Sequence, residues 1–367
     1  MNQRKKRVDL RKNRGTSPRQ RNLKPLDEGQ LEALSASERV SGKGDFSRKR
    51  TVVAASEAQI QQELQAGLLC PGRVLSPRGA GCLVDLGQGR MLECSVRQVL
   101  RDMAVDGRTV VAAGDRVLVR PSDDRQGVIE RVEPRTGILA RKIRERKHVL
   151  VANVDQVLIV GSAATPRLKP SLIDRYLISV LQGELQPVIV INKIDLVDLA
   201  ELQPIVGIYA QLGYEVIPCS ARTGQGLARL RHLLRGRATA LAGQSGVGKS
   251  SLINSVEPGL NLRTLDVTEE TGKGQHTTTS ARLWPLTMGG WVVDTPGVRQ
   301  LDLWDLTPGE IEGYFIEFHP HVRACRFANC THIHERECGV KLAVARGQIS
   351  RQRFASYCRI RQGDGDL

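Results

Sequence analysis

The chain has 367 residues, of which 40% are hydrophobic, and its 54 Lys and Arg outnumber 39 Asp and Glu to give a formal net charge of +15. This length provides for two or three domains with a sizeable core. The sequence has no apolar run of about 18 residues, which excludes a membrane-spanning helix. The excess of positive charge favours a polyanionic partner such as RNA.

Positive charge is concentrated at the start of the chain. Residues 1–50 contain 15 Lys or Arg against 6 Asp or Glu and almost no aromatic residues. Because such a composition does not build a core, we predict that residues 1–66 form a basic, disordered tail. The tail is either a solubilising extension or an RNA contact. A transit peptide is disfavoured because Asp9, Asp27 and Glu28 interrupt the segment.

The composition then changes to short runs of β-forming residues separated by glycine and charged turns. These runs lie at residues 73–75, 82–86, 91–96, 116–119 and 128–132. Five short strands predict a small barrel over residues 67–138, and an OB-fold fits this pattern. An SH3-like barrel stays open, as does a barrel that packs without contacting RNA.

Strands that alternate with amphipathic helices predict a doubly wound α/β sheet over residues 147–300. Strands are expected at residues 149–160, 187–191, 214–219, 238–242 and 291–293, and helices at 170–182 and 197–212. Polar segments follow several of these strands. In open α/β sheets ligands bind at the ends of the strands, so these segments are the candidate site.

Two of the polar segments predict recognition of guanine. A carboxylate at Asp195 matches the N1–H and the amino group of guanine, whereas adenine offers no donor at N1. Asn192 either contacts the base edge or ties its loop to the phosphate loop, and the stem of Lys193 lies along the base. Ser220 and Ala221 follow the next strand, where the Ala221 N–H is expected to meet guanine O6.

Residues 243–250 fit the phosphate-loop pattern G-x-x-x-x-G-K-[ST] between a strand and a helix. Glycine lets backbone N–H groups approach the phosphates, and Ser250 offers a hydroxyl to Mg²⁺. Lys249 bridges the phosphates and is predicted to act in catalysis, because its charge stabilises the transition state. The predicted nucleotide contacts here are Gly243, Gln244, Ser245, Gly246, Val247, Gly248, Lys249, Ser250 and Ser251.

The Asp-Thr-Pro-Gly segment from Asp294 to Gly297 is typical of the loop that supports Mg²⁺ and senses the γ-phosphate. The polar stretch before it is expected to be a switch, in which Thr277 or Thr278 coordinates Mg²⁺. The guanine segment at Asp195 precedes the phosphate loop and this third segment follows it. That order predicts a circularly permuted GTPase.

The catalytic residue must differ from that of a Ras-like enzyme. A glutamine that orients water would follow Gly297, but this chain has Val298, which cannot hydrogen-bond a water molecule. We assign the role to His276, because a switch imidazole can move toward the γ-phosphate when a partner orders the loop. A solvated loop histidine is the alternative.

Three cysteines and a histidine lie within 14 residues near the C-terminus, as Cys325, Cys330, His332 and Cys338. A Cys₃His set is a closed tetrahedral zinc site, so the metal is expected to hold the fold and not to catalyse. The other cysteines are scattered singly, which disfavours disulfides. His321 and His334 are alternative imidazole ligands.

The permuted motif order, the switch sequence Gly-Gln-His-Thr-Thr ending at Thr278 and the Cys-x4-Cys-x-His-x5-Cys spacing resemble the bacterial ribosome small-subunit-dependent GTPases of the RsgA (YjeQ) type. The resemblance covers residues 68–360. It implies an OB-fold barrel, a permuted GTPase domain and a small helical zinc domain at 301–362. It also implies His276 as the switch histidine and one structural Zn²⁺ at the Cys₃His set.

The same resemblance implies a cytoplasmic enzyme that binds the 30S subunit and 16S rRNA. It would assist late maturation of that subunit, and the subunit would stimulate its hydrolysis of GTP to GDP. We expect a monomer with no membrane association. Two other functions stay open from the residues: a small-molecule P-loop kinase, which would prefer ATP, and an RNA-binding protein with an idle nucleotide site.

Overall fold

The structure is a computed structural model that describes residues 5–9, 36–39, 49–54, 57–78, 81–97, 100, 110–143, 146–260, 262, 281–294 and 306–363. Contacts divide the chain into two units, Met1–Thr136 and Gly137–Leu367. Within the described residues every helix is too short or too polar to span a bilayer.

The first unit opens with three short antiparallel strands, β1 (Lys5–Asp9), β2 (Ala36–Arg39) and β3 (Lys49–Ala54), in the order β1-β3-β2. A helix, α1 (Glu57–Gln65), follows. These elements differ from the disordered tail predicted for residues 1–66. Ile60 of α1 is buried with Leu69 and Leu118, and Leu64 packs against them. The apolar side of α1 therefore packs against residues at the edge of the barrel.

The five predicted barrel strands are all present. They are β4 (Cys70–Arg78), β5 (Gly81–Asp85), β6 (Met91–Val96), β7 (Arg116–Pro121) and β8 (Gln126–Val132). They close in the order β4-β5-β6-β8-β7, with β6 and β8 parallel and the other pairs antiparallel. One parallel pair in a five-stranded Greek-key barrel is the arrangement of the OB-fold, whereas an SH3-like barrel is antiparallel throughout. The OB-fold prediction is confirmed.

The interior of the barrel is apolar because side chains alternate across each strand. In β6, for example, Leu92 and Cys94 are buried and their neighbours are exposed. The remaining buried members of this core include Val74, Cys82, Val84, Val111, Val117, Val119, Ile129 and Val132.

The second unit contains a hairpin of β9 (Leu139–Ile143) and β10 (Arg146–Val151) and a six-stranded sheet. The sheet strands are β11 (Gln156–Ser162), β12 (Gln186–Asn192), β13 (Glu215–Pro218), β14 (Ala238–Ala242), β15 (Arg282–Pro285) and β16 (Trp291–Asp294). Their order is β13-β12-β11-β14-β16-β15, and only the edge strand β15 is antiparallel to its neighbour. This is the predicted α/β sheet.

The helices beside this sheet are α2 (Pro170–Gln182), α3 (Leu199–Gln211), α4 (Leu227–Leu234) and α5 (Lys249–Val256). Helix α2 begins at the predicted residue because Pro170 occupies its first turn, where a missing N–H costs nothing. Helix α3 begins two residues later than predicted, since the Asp198 side chain caps it by accepting from the Ala200 N–H.

One predicted strand is divided in the structure. Residues 149–160 were expected to form a single strand, but β10 ends at Val151 and β11 begins at Gln156. Asn153 lies between them with a φ of 53°, a left-handed conformation that no strand continues.

The C-terminal part of the second unit is helical, as predicted. It contains 3₁₀ turns at Ile311–Tyr314 and Ile316–Phe318. The helices that follow are α6 (His319–Val322), α7 (Gly339–Ala345) and α8 (Arg351–Gln362). Phe315, Phe318 and Tyr357 are fully buried and pack at ring separations of 4.9–5.3 Å. These aromatic rings form a core beside the predicted zinc ligands.

Candidate functional site

The phosphate loop joins the end of β14 to the start of α5. Gly243 and Gly248 have φ angles of 140° and 90°, which favour glycine. A Cβ at Gly243 would collide with the carbonyl oxygen of Val160, and one at Gly248 would collide with the side-chain nitrogen Nδ2 of Asn192. Both positions therefore require glycine, because the loop passes close to β11 and to the last residue of β12.

Lys249 begins α5 and folds back over this loop. Its Nζ donates to the carbonyl oxygens of Gly243 at 2.7 Å and Gln244 at 2.6 Å. A phosphate group would offer the same ammonium a charged acceptor and a stronger hydrogen bond. Ser250 and Ser251 lie half-buried in the first turn of the helix.

The middle of the loop is held by its surroundings. Val247 is buried in the core of the sheet. Ser245 is exposed and Gly246 is half-buried. The loop thus has one apolar anchor, Val247, while Ser245 lies exposed.

Asn192 connects three of the predicted nucleotide-binding segments. Its Nδ2 donates to the Val247 carbonyl oxygen at 2.8 Å, and its Oδ1 accepts from the Ala221 N–H at 3.2 Å. The side chain is buried. Of the two roles that the sequence left open, these contacts support the tie to the phosphate loop. The same contacts engage the Ala221 N–H that was expected to meet the base.

Lys193 makes a second tie to the phosphate loop. Its backbone is left-handed, with φ at 63°, and its Nζ donates to the carbonyl oxygens of Gly246 at 2.7 Å and Thr165 at 2.5 Å. These bonds fix the ammonium, so the methylene stem is held beside the cavity that the residue lines.

Asp195 lies in the 3₁₀ turn Ile194–Leu196 that follows β12. Its Oδ1 accepts from the Ser220 hydroxyl at 2.6 Å, and Arg222 Nε lies 3.0 Å from its Oδ2. The Ser220 oxygen in turn accepts from the Thr223 N–H at 3.1 Å. The Ser220 hydrogen bond holds the pKa of the Asp195 carboxyl below its ordinary value of 3.8, and the charge of Arg222 acts in the same direction.

An ionised carboxylate accepts at about four positions. Asp195 can therefore keep both side-chain contacts and still accept from two donors of a guanine. Arg222 was not among the predicted site residues, because a lone arginine in a polar loop is indistinguishable in sequence from a solvated one.

A cavity of about 340 Å³ opens between these segments. Its volume falls within the roughly 300–1,000 Å³ that is typical of ligand pockets. The lining residues are Asn192, Lys193, Asp195, Leu196, Ala221, Arg222, Gly248, Ser251 and Ser255. Two distant parts of the sequence thus meet at one surface, as the permuted motif order predicts.

Strand β16 brings the third predicted segment to the same sheet. Residues 238–240 of β14 pair in parallel with residues 291–293 of β16, and Asp294 is the last residue of that strand. His276, Thr277, Thr278 and Gly297 lie outside the described residues. The predicted catalytic and switch contacts therefore stay predictions.

The four predicted metal ligands come together in the C-terminal part of the unit. The ligand atoms of Cys325, Cys330, His332 and Cys338 all lie within 4.8 Å of one another. His332 Nδ1 is 3.2 Å from the Cys338 sulfur and 3.5 Å from the Cys325 sulfur. The cluster can hold a metal ion, and three sulfurs with one imidazole suit zinc.

A carboxylate fixes the orientation of the histidine ligand. Glu312 Oε2 lies 2.9 Å from His332 Nε2, on the opposite side of the ring from the sulfurs. This contact occupies Nε2 and leaves Nδ1 free to act as the ligand atom. Metal-bound histidines commonly donate their other ring N–H to a carboxylate in this way. Glu312 precedes the first cysteine by 13 positions, and no spacing rule marks it in the sequence.

Burial shapes the chemistry of the cysteines. It raises the pKa of the Cys330 thiol to about 12 and that of the Cys338 thiol as well. Thiols in such surroundings ionise only when a cation lies beside them. The donor set therefore fits a metal cation better than it fits free thiolates.

Comparison with known proteins is consistent with this geometry. The family model described as RsgA GTPase matches residues 132–304. A small ribosomal subunit biogenesis GTPase RsgA from Sodalis glossinidius is 39% identical over 295 residues, which are 79% of this chain and 84% of that protein. Its counterpart from Shewanella oneidensis is 35% identical over 350 residues, covering 92% and 94% of the two chains.

The chain belongs to the RsgA GTPase family. It is accordingly a GTP-hydrolysing enzyme, and the P-loop kinase and idle-site alternatives are wrong. The crystal structure of YjeQ from Thermotoga maritima is similar with a TM-score of 0.68 and 36% identity, covering 82% of this chain and all of that one. YloQ, described as a circularly permuted GTPase, is similar with a TM-score of 0.63 and 27% identity over 82% and 96%. The circular permutation is confirmed.

Proposed function

We propose that this chain is a cytoplasmic GTPase that binds the 30S ribosomal subunit through 16S rRNA and acts late in the maturation of that subunit. The printed name of the relatives, small ribosomal subunit biogenesis GTPase, supports the partner. The observation that carries the proposal is the single cavity shared by Asp195 and the phosphate loop. The net charge of +15 fits an RNA partner.

The residues divide the work of binding GTP. Asp195 accepts from the base, Ser220 and Arg222 orient its carboxylate, and Asn192 and Lys193 fix the loops around it. The nucleotide contacts that we assign are Asn192, Lys193, Asp195, Ser220, Ala221, Gly243, Gln244, Ser245, Gly246, Val247, Gly248, Lys249, Ser250, Ser251, Asp294 and Gly297. With both ends of the nucleotide held, the γ-phosphate is positioned for attack by water.

Lys249 stabilises the charge on the phosphates in the transition state, and His276 orients the attacking water once the subunit has ordered the switch. Ser250, Asp294 and Thr277 or Thr278 would hold Mg²⁺, which supplies charge neutralisation at the phosphates when bound. We assign Zn²⁺ to the Cys₃His cluster. A full set of protein ligands keeps that metal out of the reaction.

We also propose a division of labour along the chain. Residues 1–66 add a basic segment, residues 67–138 form an RNA-facing barrel, residues 147–300 bind GTP, and residues 301–362 hold zinc. The protein acts as a monomer, so that each copy occupies one subunit.

The deciding experiment measures hydrolysis of GTP and of ATP with and without purified 30S subunits, with 50S subunits as the matched control. We expect slow GTP turnover alone, marked stimulation by 30S subunits only, and no ATP turnover. The Lys249→Ala variant controls for contaminating hydrolases. Equal GTP turnover with and without 30S subunits would refute the proposal.

A further inference from the structure

We propose that Phe327, on the loop between Cys325 and Cys330, is a stacking platform for an unpaired base of ribosomal RNA. This inference deepens the proposed function and rests on it, since it names a contact through which the chain would grip its RNA partner. It concerns the metal-binding cluster, which the mechanism of GTP hydrolysis does not use.

The exposure of Phe327 is unusual in this molecule. Its side chain is 48% exposed, whereas every other aromatic residue that the structure describes is buried or half-buried. Phe315 and Phe318, for comparison, are fully buried in the neighbouring core. Phe327 is therefore the one aromatic ring, among the residues that the structure describes, with a face open for a base to stack on.

The loop holds the ring in a fixed place. Two metal ligands bracket it, Cys325 and Cys330, and the Cys330 N–H donates to the Phe327 carbonyl oxygen at 3.2 Å. On the other side, the Arg326 N–H donates to the Glu337 carbonyl oxygen at 3.1 Å. An aromatic residue on a pinned loop loses little conformational entropy when a base stacks on it.

Charge around the ring favours a polyanion. Arg326 Nη1 lies 2.5 Å from Glu337 Oε1, and its guanidinium lies 5.5 Å from the centre of the Phe327 ring. Both side chains of this ion pair are exposed, at 60% and 66%, so a phosphate group can compete with Glu337 for the guanidinium. Together the arginine and the ring form a cationic edge and an aromatic face, a pair that recurs in proteins that bind single-stranded nucleic acids.

The other charged side chains nearby also make the surface around Phe327 positive. Glu335 turns toward the protein, where its carboxylate accepts from the Thr331 N–H at 2.7 Å and from the Thr331 hydroxyl at 2.8 Å. Arg323 and Arg336 are exposed, and neither has an ion-pair partner among the residues that the structure describes. The free charge on this loop and its flanks is therefore positive.

Double-stranded RNA would not use such a ring, because its bases are stacked on one another. Sequence-tolerant recognition of RNA by aromatic side chains is confined to unpaired bases, and zinc-binding loops are among the modules that do this. The partner chemistry that fits is accordingly a single-stranded or bulged ribonucleotide. A protein partner is the competing outcome of the test.

The experiment uses the full zinc-loaded chain and a short oligouridylate as the probe. Phe327→Ala should weaken binding about five-fold to a hundred-fold, the range measured when stacking residues are removed. Leu342→Ala is the matched control, because Leu342 is equally exposed, at 49%, and lies on α7. Zinc content measured for each variant separates a lost contact from a lost fold.

Phe327→Trp supplies a direct readout. The indole should restore binding, and stacking of a base on it should quench fluorescence that the wild-type chain does not lose. Binding of Phe327→Ala at wild-type strength, or an unquenched Phe327→Trp indole in the RNA complex, would overturn the proposal. So would quenching by 30S subunits without quenching by free 16S rRNA, which would indicate a protein partner. The proposed function would survive these results if 30S subunits still stimulate wild-type GTP hydrolysis.

Discussion

Arg353 Nη1 donates to Asp174 Oδ1 across 2.7 Å, although the two residues are 179 positions apart. The same guanidinium binds both oxygens of Glu317, at 2.7 and 3.1 Å, and the Tyr209 hydroxyl donates to Asp174 at 2.8 Å. Asp174 lies on α2 beside the sheet and Arg353 on α8, so this buried network joins the GTP-binding part of the unit to its metal-binding part.

Arg353→Met should therefore destabilise the chain strongly. The Arg353 side chain is 2% exposed, and its removal leaves two carboxylates buried without their cation, which costs about 3–5 kcal/mol. The measurement is the urea midpoint of unfolding of the second unit. Arg351→Met, an exposed neighbour on the same helix, is the control, and equal midpoints for the two variants would contradict the prediction.

Asp195→Asn should change the choice of base. The carboxamide can no longer accept from both donors of guanine, so GDP affinity should fall about ten-fold to a hundred-fold. Its NH₂ group can donate to the second carbonyl of xanthine, so affinity for xanthosine diphosphate should rise. Titration of the variant with GDP and with xanthosine diphosphate measures both affinities. If both fell to the same extent, Asp195 would not be the residue that recognises the base.

Ser220→Ala should raise the pH at which GDP binding is lost on acidification. Binding needs the ionised Asp195 carboxyl, whose pKa lies below 3.8 chiefly because Ser220 donates to it. A group with a lowered pKa keeps its charge until the pH falls through that lowered value. Loss of the hydroxyl raises the pKa, so GDP affinity should begin to fall at a higher pH than in the wild type. Thr223→Ala is the control, and superimposable pH profiles would count against the effect.

Glu312→Gln should weaken metal binding although all four ligands stay in place. The amide can still contact His332 Nε2, but it lacks the negative charge that makes the imidazole a stronger metal ligand. Zinc affinity should therefore fall about ten-fold to a hundred-fold. Competition with a chromogenic chelator measures it. Glu310→Gln is the control, because Glu310 lies two positions away and contacts Thr307 instead.

His276→Ala should abolish stimulation by 30S subunits while GTP affinity stays nearly unchanged. The imidazole is assigned to the orientation of water, and base and phosphates are held by other residues. Single-turnover hydrolysis with saturating subunits measures the effect. Full stimulation in the variant would return His276 to the role of a solvated loop residue.

Local patterns predicted much of this molecule. Short runs of β-forming residues between glycine and charged turns located all five barrel strands, and the spacing from Cys325 to Cys338 located four side chains that meet in space. The parallel pairing of β6 with β8 could not be predicted from the sequence, since the pairing of distant strands depends on how the whole barrel closes.

What the sequence could not predict depends on partners far along the chain. Asp174 reads as one polar residue on an apolar helix, and only the fold reveals the arginine that neutralises it. Glu312 and Arg222 are likewise single charged residues in polar surroundings. Motifs identify residues that act through fixed spacing, whereas these three act through tertiary contacts that carry no local signature.

The position of β11 in the middle of the sheet has a consequence for biosynthesis. Its neighbour β12 on one side is translated soon after it, but its neighbour β14 on the other side emerges only later. Until then the growing polypeptide exposes one unpaired edge of β11, the kind of edge that recruits wrong partners. A half-made chain also has its base-binding loops but lacks the loop that grips phosphates. Tight capture of nucleotide must therefore wait until β14 docks, which makes GTP a ligand of the finished sheet and not a template for its assembly.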